Sequence, residues 1–171
     1  MKNSEDELYM RQCVNIATEG TSYGEFPFGA LVLYKGKVIS RRHNESIHKK
    51  QVYRHAEMLT LLDAQEILLQ DELAEATLYC TVEPCPMCSF AIQELRIKRI
   101  VFGLKSPVMG GFTKWHILQD KKVNAIFSKS FGKLPEIVPN ILVDEVVQGW
   151  RNWNEEKWQS FLQRGVFNEN E

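Results

Sequence analysis

Two short motifs hold the side chains that can carry out chemistry. The first, His-Ala-Glu, begins at His55, and the second, Pro-Cys-Pro-Met-Cys, ends at Cys88. Imidazole nitrogen and thiolate sulfur are ligands that zinc prefers, and three protein ligands leave a fourth position open to water. His55, Cys85 and Cys88 therefore predict one catalytic Zn²⁺ per subunit, which would activate a water molecule. Glu57 is not needed as a ligand and is the predicted proton carrier.

Each motif alone is a weak indicator, because redox thiol pairs and structural zinc sites also contain Cys-x-x-Cys. One alternative is a thioredoxin-like thiol pair formed by Cys85 and Cys88. The other is a closed structural zinc site, which would leave Glu57 without a role. Its fourth ligand would come from Cys80, His43, His48 or His116. The two motifs together favour the catalytic interpretation.

Helices that begin at the two motifs would bring these side chains together. A helix is predicted to start near His55, with its inner face formed by Met58, Leu61, Leu62, Gln65 and Leu69. A second helix follows Pro86, a residue suited to a first helical turn, with a buried stripe of Met87, Ala91, Ile92 and Leu95. Because His55 and Glu57 are two residues apart, their side chains would diverge on the flank of a helix. They can reach a common point only beyond its N-terminal end, where we place the metal. Two helix N-termini aimed at the metal would lower the pKa of the thiols.

The rest of the hydrophobic pattern predicts an α/β fold. An amphipathic helix is expected over about 5–19, followed by a strand over 30–34, a tight turn, and a second strand over 37–42 that completes a hairpin. A polar loop over 43–54 comes next. Strands over 77–81 and 99–102 flank the cysteine helix, and this order makes them parallel. We therefore expect a three-layer α/β/α sandwich, whose mixed central sheet combines the hairpin with parallel strands and carries helices on both faces.

The C-terminal third has a less regular pattern. A helical segment is expected around 115–119, and residues 121–136 are mixed. Valine and tryptophan recur at helical spacing over about 140–165, which predicts one or two helices that cap the domain or form a subunit contact, with the tryptophans in the core. We expect a single zinc-dependent domain over 1–171, with its zinc-site core over about 8–105 and a helical extension over about 140–165.

The composition is that of a globular protein of 171 residues with a net charge of −1. No apolar run approaches the roughly 18–20 residues of a membrane span, and the N-terminus is polar and acidic, so a cytoplasmic location without a membrane partner is expected. Cys13 and Cys80 are predicted to be packing residues. The charge gives no general field for a polyanion. A local basic cluster is either a solvated face or a phosphate contact; it contains Arg41, Arg42, Lys49, Lys50 and Arg54.

Around the two motifs the chain resembles the cytidine-deaminase-like superfamily, on the branch of tRNA wobble-adenosine deaminases and bacterial guanine and nucleoside deaminases. The resemblance covers about residues 8–105 and includes Pro27-Phe28-Gly29-Ala30, Asn44, Arg96-Ile97 and Val101-Phe102-Gly103. It implies an α/β/α sandwich, a homodimer, and substrate-binding positions at Asn44, Phe28 and Ala56. An asparagine offers one acceptor and two donors to a flat heterocycle. Asn44 as a turn residue and Phe28 as a core residue are the alternatives, and Glu83 is expected to be structural.

Departures from the family pattern bear on the substrate. Relatives commonly have Asp-Pro-Thr-Ala before the histidine, whereas this chain has Val52-Tyr53-Arg54, and it ends on an acidic stretch instead of a basic helix. The first hypothesis is therefore zinc-dependent hydrolytic deamination of a free purine base or nucleoside, guanine-type first, with release of ammonia. The alternative is a tRNA wobble-adenosine to inosine deaminase whose basic residues over 41–54 contact phosphates. A second alternative is a non-catalytic binding subunit with a structural zinc.

Overall fold

The computed structural model describes residues 2–168, and five strands there form one sheet in the order β2-β1-β3-β4-β5. Their bounds are β1 Gly29–Tyr34, β2 Lys37–His43, β3 Thr77–Val82, β4 Arg99–Leu104 and β5 Glu136–Val138. Strand β1 is antiparallel to both β2 and β3, whereas β3, β4 and β5 run parallel. The predicted mixed sheet is confirmed. Strand β5 was not predicted, because three residues after Pro135 are too few to show a period.

Helices cover both faces of this sheet. They are α1 Lys2–Thr21, α2 Ala56–Ile67, α3 Gln70–Leu73, α4 Pro86–Glu94, α5 Lys121–Ile126 and α6 Val143–Gln163. Alternate residues of each strand face opposite layers. Ala30 and Val32 pack in the core under α2 and α4, while Leu31 and Leu33 pack against α1 and α6. The predicted three-layer arrangement is therefore confirmed.

The inner face of α2 differs from the predicted one. Of the five residues expected there, only Leu61 is buried, whereas Leu62 is 54% exposed. Small residues face the sheet instead, and Thr60 donates its hydroxyl to the carbonyl of Ala30 while accepting the hydroxyl of Ser40 at its own carbonyl. The close approach of α2 to the strands therefore sets the rotation of this helix about its axis. Because large apolar residues lie on both its buried and its exposed side, the hydrophobic pattern did not identify the buried face.

The stripe predicted for α4 is also only partly correct. Ile92 and Leu95 are buried, but Met87 is 38% exposed and Ala91 is half-buried. The buried face is completed by Cys88, Ser89 and Gln93. Polar residues thus take inward positions because they bond to neighbouring loops: Ser89 donates to the carbonyl of Pro84 and Gln93 to that of Ile117.

Helix α6 packs against the face of the sheet that α1 also covers, as the capping alternative predicted. It is kinked at Asn154, whose backbone is extended and whose side chain accepts the N–H of Lys157, so a second helical piece begins there. Trp150 and Trp158 are buried in this layer together with Cys13, and Cys80 is buried on the other side of the sheet. The predicted packing roles of these tryptophans and cysteines are confirmed.

The chain turns back sharply where α6 ends. Gly165 has a φ of +67° and donates its N–H to Leu162, while Val166 donates to the carbonyl of Phe161. This pair of bonds is a Schellman motif, in which glycine takes the left-handed position at low cost. Phe167 is thereby folded onto the aromatic core beside Trp158.

The segment expected to be helical around 115–119 is a single 3-10 turn over Ile117–Gln119. Among residues 2–168, no helix combines the length and the apolar character needed to cross a membrane.

Candidate metal centre and substrate cavity

Three predicted ligands meet at the ends of two helices. His55 is the N-cap of α2 and Cys85 is the N-cap of α4, each with an extended backbone, and Pro86 occupies the first turn of α4. Cys88 lies one turn into α4, so its sulfur points to the same side as that of Cys85. The parallel β3-α4-β4 unit places α4 against α2. The ligands therefore lie at the N-terminal ends of two helices, as expected.

The three ligand atoms have the spacing of a zinc site. The Nδ1 atom of His55 lies 3.5 Å from Sγ of Cys85 and 3.6 Å from Sγ of Cys88, and the two sulfurs are 3.6 Å apart. Tetrahedral bonds of about 2.3 Å to sulfur and about 2.0–2.1 Å to nitrogen would separate two sulfurs by about 3.8 Å and a sulfur from a nitrogen by about 3.6 Å. The donor set therefore fits Zn²⁺ in both chemistry and size. The sulfurs are too far apart for a disulfide.

A fourth protein ligand does not join this group. Among residues 2–168, the only cluster of three or more histidine, cysteine or acidic side chains with metal-ligand spacing is His55, Cys85 and Cys88. Cys80 is buried in the core, and the other three histidines lie outside the cluster. The arrangement therefore has the three-ligand form of sites that keep one position for water, and it does not match the closed structural alternative.

The surroundings favour the thiolate form of Cys85, whereas the hydrogen bond with Cys85 and burial raise the pKa of Cys88, so the lowering expected for both thiols holds for Cys85 alone. The hydrogen bonds with Cys88 and with His55 together lower the pKa of Cys85 to about 4 against the effect of burial. The positive ends of the α2 and α4 dipoles act in the same direction. Cys85 is thus ready to bind a cation at neutral pH.

Glu57 is buried in the first turn of α2 and lines the same cavity. Burial raises the pKa of its carboxyl to about 7, and the nearby negative charge of Cys85 contributes in the same direction. A divalent cation on the three ligands would favour the ionised carboxylate. A buried carboxyl beside the metal ligands can accept a proton when ionised and donate it when protonated, as the predicted role requires.

A cavity of about 280 Å³ opens beside the metal ligands. His55, Cys85 and Glu57 line it, and the structure also brings two of the predicted substrate-binding residues, Asn44 and Phe28, into its wall. Phe28 packs in addition edge-on against Trp150, so stacking and core packing are not exclusive for this ring. Ala56 is not part of the lining, because its side chain is buried in the core beneath α2.

Several cavity residues were not predicted from the sequence. Ser46 follows Asn44 in the polar loop, whereas Phe26, Ser106 and Met109 come from loops elsewhere, and Val166 and Phe167 come from the C-terminal turn. Ser106 donates its hydroxyl to the carbonyl of Val166, which ties the C-terminal segment to the cavity rim. No local motif marks these positions, since contacts between segments far apart in the chain bring them together.

Glu83 has the structural role that was expected. It is 4% exposed, and its carboxylate accepts the backbone N–H groups of Ser106, Phe112 and Thr113, together with the Thr113 hydroxyl. These bonds hold the loop after β4 against the cavity. A Cβ atom on Gly110 would lie 2.3 Å from this carboxylate, so glycine is required for the close approach.

Comparison with known proteins agrees with this geometry. The profile of the cytidine and deoxycytidylate deaminase zinc-binding region matches residues 3–104. The tRNA-specific adenosine deaminase of Bacillus subtilis is 35% identical over 143 residues, which cover 83% of this chain and 84% of that protein. The tRNA-specific adenosine deaminase of Haemophilus influenzae is 34% identical over 77% of each chain.

Solved structures show the same fold. A structure from work on tRNA:A34 deaminases superposes with a TM-score of 0.72 at 28% identity and covers 82% of this chain and 96% of its own. The guanine deaminase of Bacillus subtilis gives a TM-score of 0.55 at 31% identity over 58% of this chain and 64% of its own. The chain therefore belongs to the cytidine and deoxycytidylate deaminase family of zinc-binding enzymes, and its relatives include tRNA-specific adenosine deaminases.

Proposed function

We propose that this protein hydrolytically deaminates an adenosine in tRNA, leaving inosine and releasing ammonia. The observation that carries this proposal is its identity of 35% to a tRNA-specific adenosine deaminase over more than four-fifths of both chains. From the sequence alone, guanine-type free bases rank first and tRNA second. Both groups have the zinc motifs in common, so the motifs do not rank them, and the relatives favour tRNA.

The residues divide the chemistry between them. Zn²⁺ held by His55, Cys85 and Cys88 would supply Lewis acidity that lowers the pKa of a water molecule. Glu57 takes a proton from the water as its oxygen attacks the carbon bearing the amino group, and delivers that proton to a ring nitrogen. It then carries the second water proton to the departing amine, which leaves as ammonia. Asn44 and Phe28 position the base.

Exposed cations near the cavity are suited to a phosphate backbone. In the basic cluster, Arg42 is paired with Asp63, and Arg54 with Glu45. Arg41, Lys49 and Lys50 are exposed and have no carboxylate within ion-pair distance among residues 2–168. Two of these three follow Asn44 in the same loop, and RNA phosphates would meet them as the base enters.

A second candidate, deamination of a free purine base or nucleoside, is favoured by the C-terminal turn. Val166 and Phe167 form part of the cavity wall, and the bond from Ser106 holds them there. A wall of this kind reduces the room beside a bound base and suits a small substrate.

Inosine formation in a tRNA anticodon stem-loop tests the proposal directly. The zinc-loaded protein is incubated with a stem-loop carrying adenosine at the wobble position and, in parallel, with guanine, adenine, adenosine, guanosine and cytidine. We expect inosine in the stem-loop and little ammonia from the small molecules. Turnover of a free base or nucleoside alone would replace the proposal with the second candidate.

Salt dependence tests the phosphate contacts. Three contacts should weaken stem-loop binding about 20–40-fold between about 50 and about 200 mM salt, from slopes of about 0.7–0.9 per contact. Changing Lys49 and Lys50 to glutamine should reduce this factor to about 3-fold. The matched control changes Lys121 and Lys122 of α5, which are also exposed, and should leave the slope unaltered. Equal slopes in both variants would show that Lys49 and Lys50 do not contact the RNA phosphates.

The homodimer stays a prediction. The outer sides of α2 and α4 expose Leu62, Met87 and Phe90, an apolar surface of the kind that subunit contacts bury.

A further inference from the structure

A buried carboxylate lies behind the loop that carries Asn44. Glu25 is fully buried, and its Oε1 atom accepts the backbone N–H groups of Ile47 and His48 at 2.8 Å each, with Nδ1 of His48 at 3.0 Å. Its other oxygen, Oε2, accepts Nδ2 of Asn44 at 2.7 Å. Burial opposes ionisation of Glu25, but these hydrogen bonds outweigh it and hold the pKa of the carboxyl below its usual value.

The ionised carboxylate fixes the orientation of the Asn44 amide. A carboxylate only accepts hydrogen bonds, so the amide must turn its nitrogen, and not its oxygen, towards Glu25. The second hydrogen on Nδ2 is directed to Oγ of Ser46, also at 2.7 Å. Both donors of the amide are therefore used within the protein. Its Oδ1 atom has no hydrogen-bond partner in the part of the chain that the structure describes, although Asn44 is 97% buried and lines the cavity.

We propose that Glu25 is a positioning residue that makes Asn44 present only an acceptor, its Oδ1 atom, to the substrate. The base must then offer an N–H group at this point of the cavity. In adenosine this donor is the exocyclic amine, and in guanine-type bases it is either the exocyclic amine or a ring N–H. The inference rests on the proposed function for its substrate, but the amide geometry can be tested without turnover.

Swapping the amide and the carboxylate between positions 25 and 44 tests whether Asn44 accepts a hydrogen bond from the substrate. Changing Asn44 to aspartate places two carboxylates together and removes the donor that Glu25 requires, so kcat/KM on the substrate that the wild type deaminates should fall about 100-fold. Changing Glu25 to glutamine in the same chain restores a donor-acceptor pair in the reverse direction and still leaves an acceptor oxygen facing the cavity. We expect kcat/KM of the double variant Glu25→Gln/Asn44→Asp to be at least about tenfold higher than that of Asn44→Asp. One restored hydrogen bond contributes about 1.4 kcal/mol, which corresponds to a factor of ten. A double variant no better than Asn44→Asp would mean that Asn44 must donate to the substrate, and the proposal would fail.

Amide NMR provides a readout that does not depend on activity. With Glu25 in place, both Nδ2 hydrogens of Asn44 should exchange with solvent at least about tenfold more slowly than those of Asn15, which is exposed on α1. In Glu25→Gln this protection should be lost. In the control Glu145→Gln, which removes a surface carboxylate that pairs with Arg11, it should persist. Fast exchange in the wild type would refute the geometry, whereas slow exchange in a protein that deaminates none of the substrates would refute only the proposed function.

Discussion

Glu57→Gln is expected to lose at least about 10²–10⁴-fold in deamination rate, the usual contribution of a general acid-base group. Glutamine has nearly the same shape as glutamate but carries no proton that it can transfer at neutral pH. Glu57 is buried in the first turn of α2 and lines the cavity beside His55 and Cys85. Among residues 2–168, the one other acidic residue in the lining is Glu83, which is bonded to the loop after β4. Ammonia release by the zinc-loaded variant measures the effect.

Two controls make the Glu57 result specific. The zinc content of Glu57→Gln should equal that of the wild type, because the three ligands are His55, Cys85 and Cys88, and its thermal unfolding should be cooperative. Glu66→Gln changes an exposed carboxylate near the end of the same helix and should retain full activity. An active Glu57→Gln protein with normal zinc content would show that the proton carrier has been assigned wrongly.

Arg99→Leu should lower the free energy of unfolding by about 3–5 kcal/mol, as is typical when one partner of a buried ion pair is removed. Arg99 is on β4, and its guanidinium donates to both oxygens of Asp6 on α1 at 2.7 and 2.8 Å. Asp6 is 4% exposed and also accepts the hydroxyl of Tyr79 at 2.9 Å. Without Arg99 the carboxylate would stay buried and lose both of these charge-assisted hydrogen bonds. Urea unfolding followed by circular dichroism measures the loss.

A double variant separates the ion pair from simple packing. Asp6→Leu/Arg99→Leu removes both charges together, so it should be less destabilised than Arg99→Leu alone. Arg11→Leu breaks a bidentate pair with Glu145, but that pair is exposed, and unfolding should change little. A double variant as unstable as the single one would mean that packing of the Arg99 side chain, and not charge, connects α1 to the sheet.

The metal site was predictable because its determinants are local. A histidine before a helix, a proline in the first turn of the next helix and two cysteines three residues apart specify where the ligand atoms point. The parallel β3-α4-β4 unit then follows from chain connectivity. Ligand identity and helix starts needed no knowledge of distant segments, so the sequence was sufficient to predict the metal ligands and the three-layer fold. The proton-carrying role of Glu57 stays a prediction.

The substrate was not determined in this way. The motifs resemble both tRNA-acting and guanine-acting deaminases, so they predict the reaction and leave the substrate open. The acidic end of the chain directed the sequence analysis towards guanine, whereas similarity along most of the chain favours tRNA. That similarity extends over 143 residues and is not confined to the two motifs.

The sequence by itself determined the metal ligands, the order of the elements other than α3, α5 and β5, and a buried role for Trp150 and Trp158. Tertiary structure decided the rotation of α2, the folding of Phe167 into the cavity wall, and the contact through which Glu25 orients Asn44. Each of these depends on groups that are apart in the chain: Thr60 and Ala30 are 30 residues apart, Ser106 and Val166 are 60, and Glu25 and Asn44 are 19. Hydrophobic periodicity reports which residues are buried, but the partner against which a side chain is buried is chosen by packing of the whole chain.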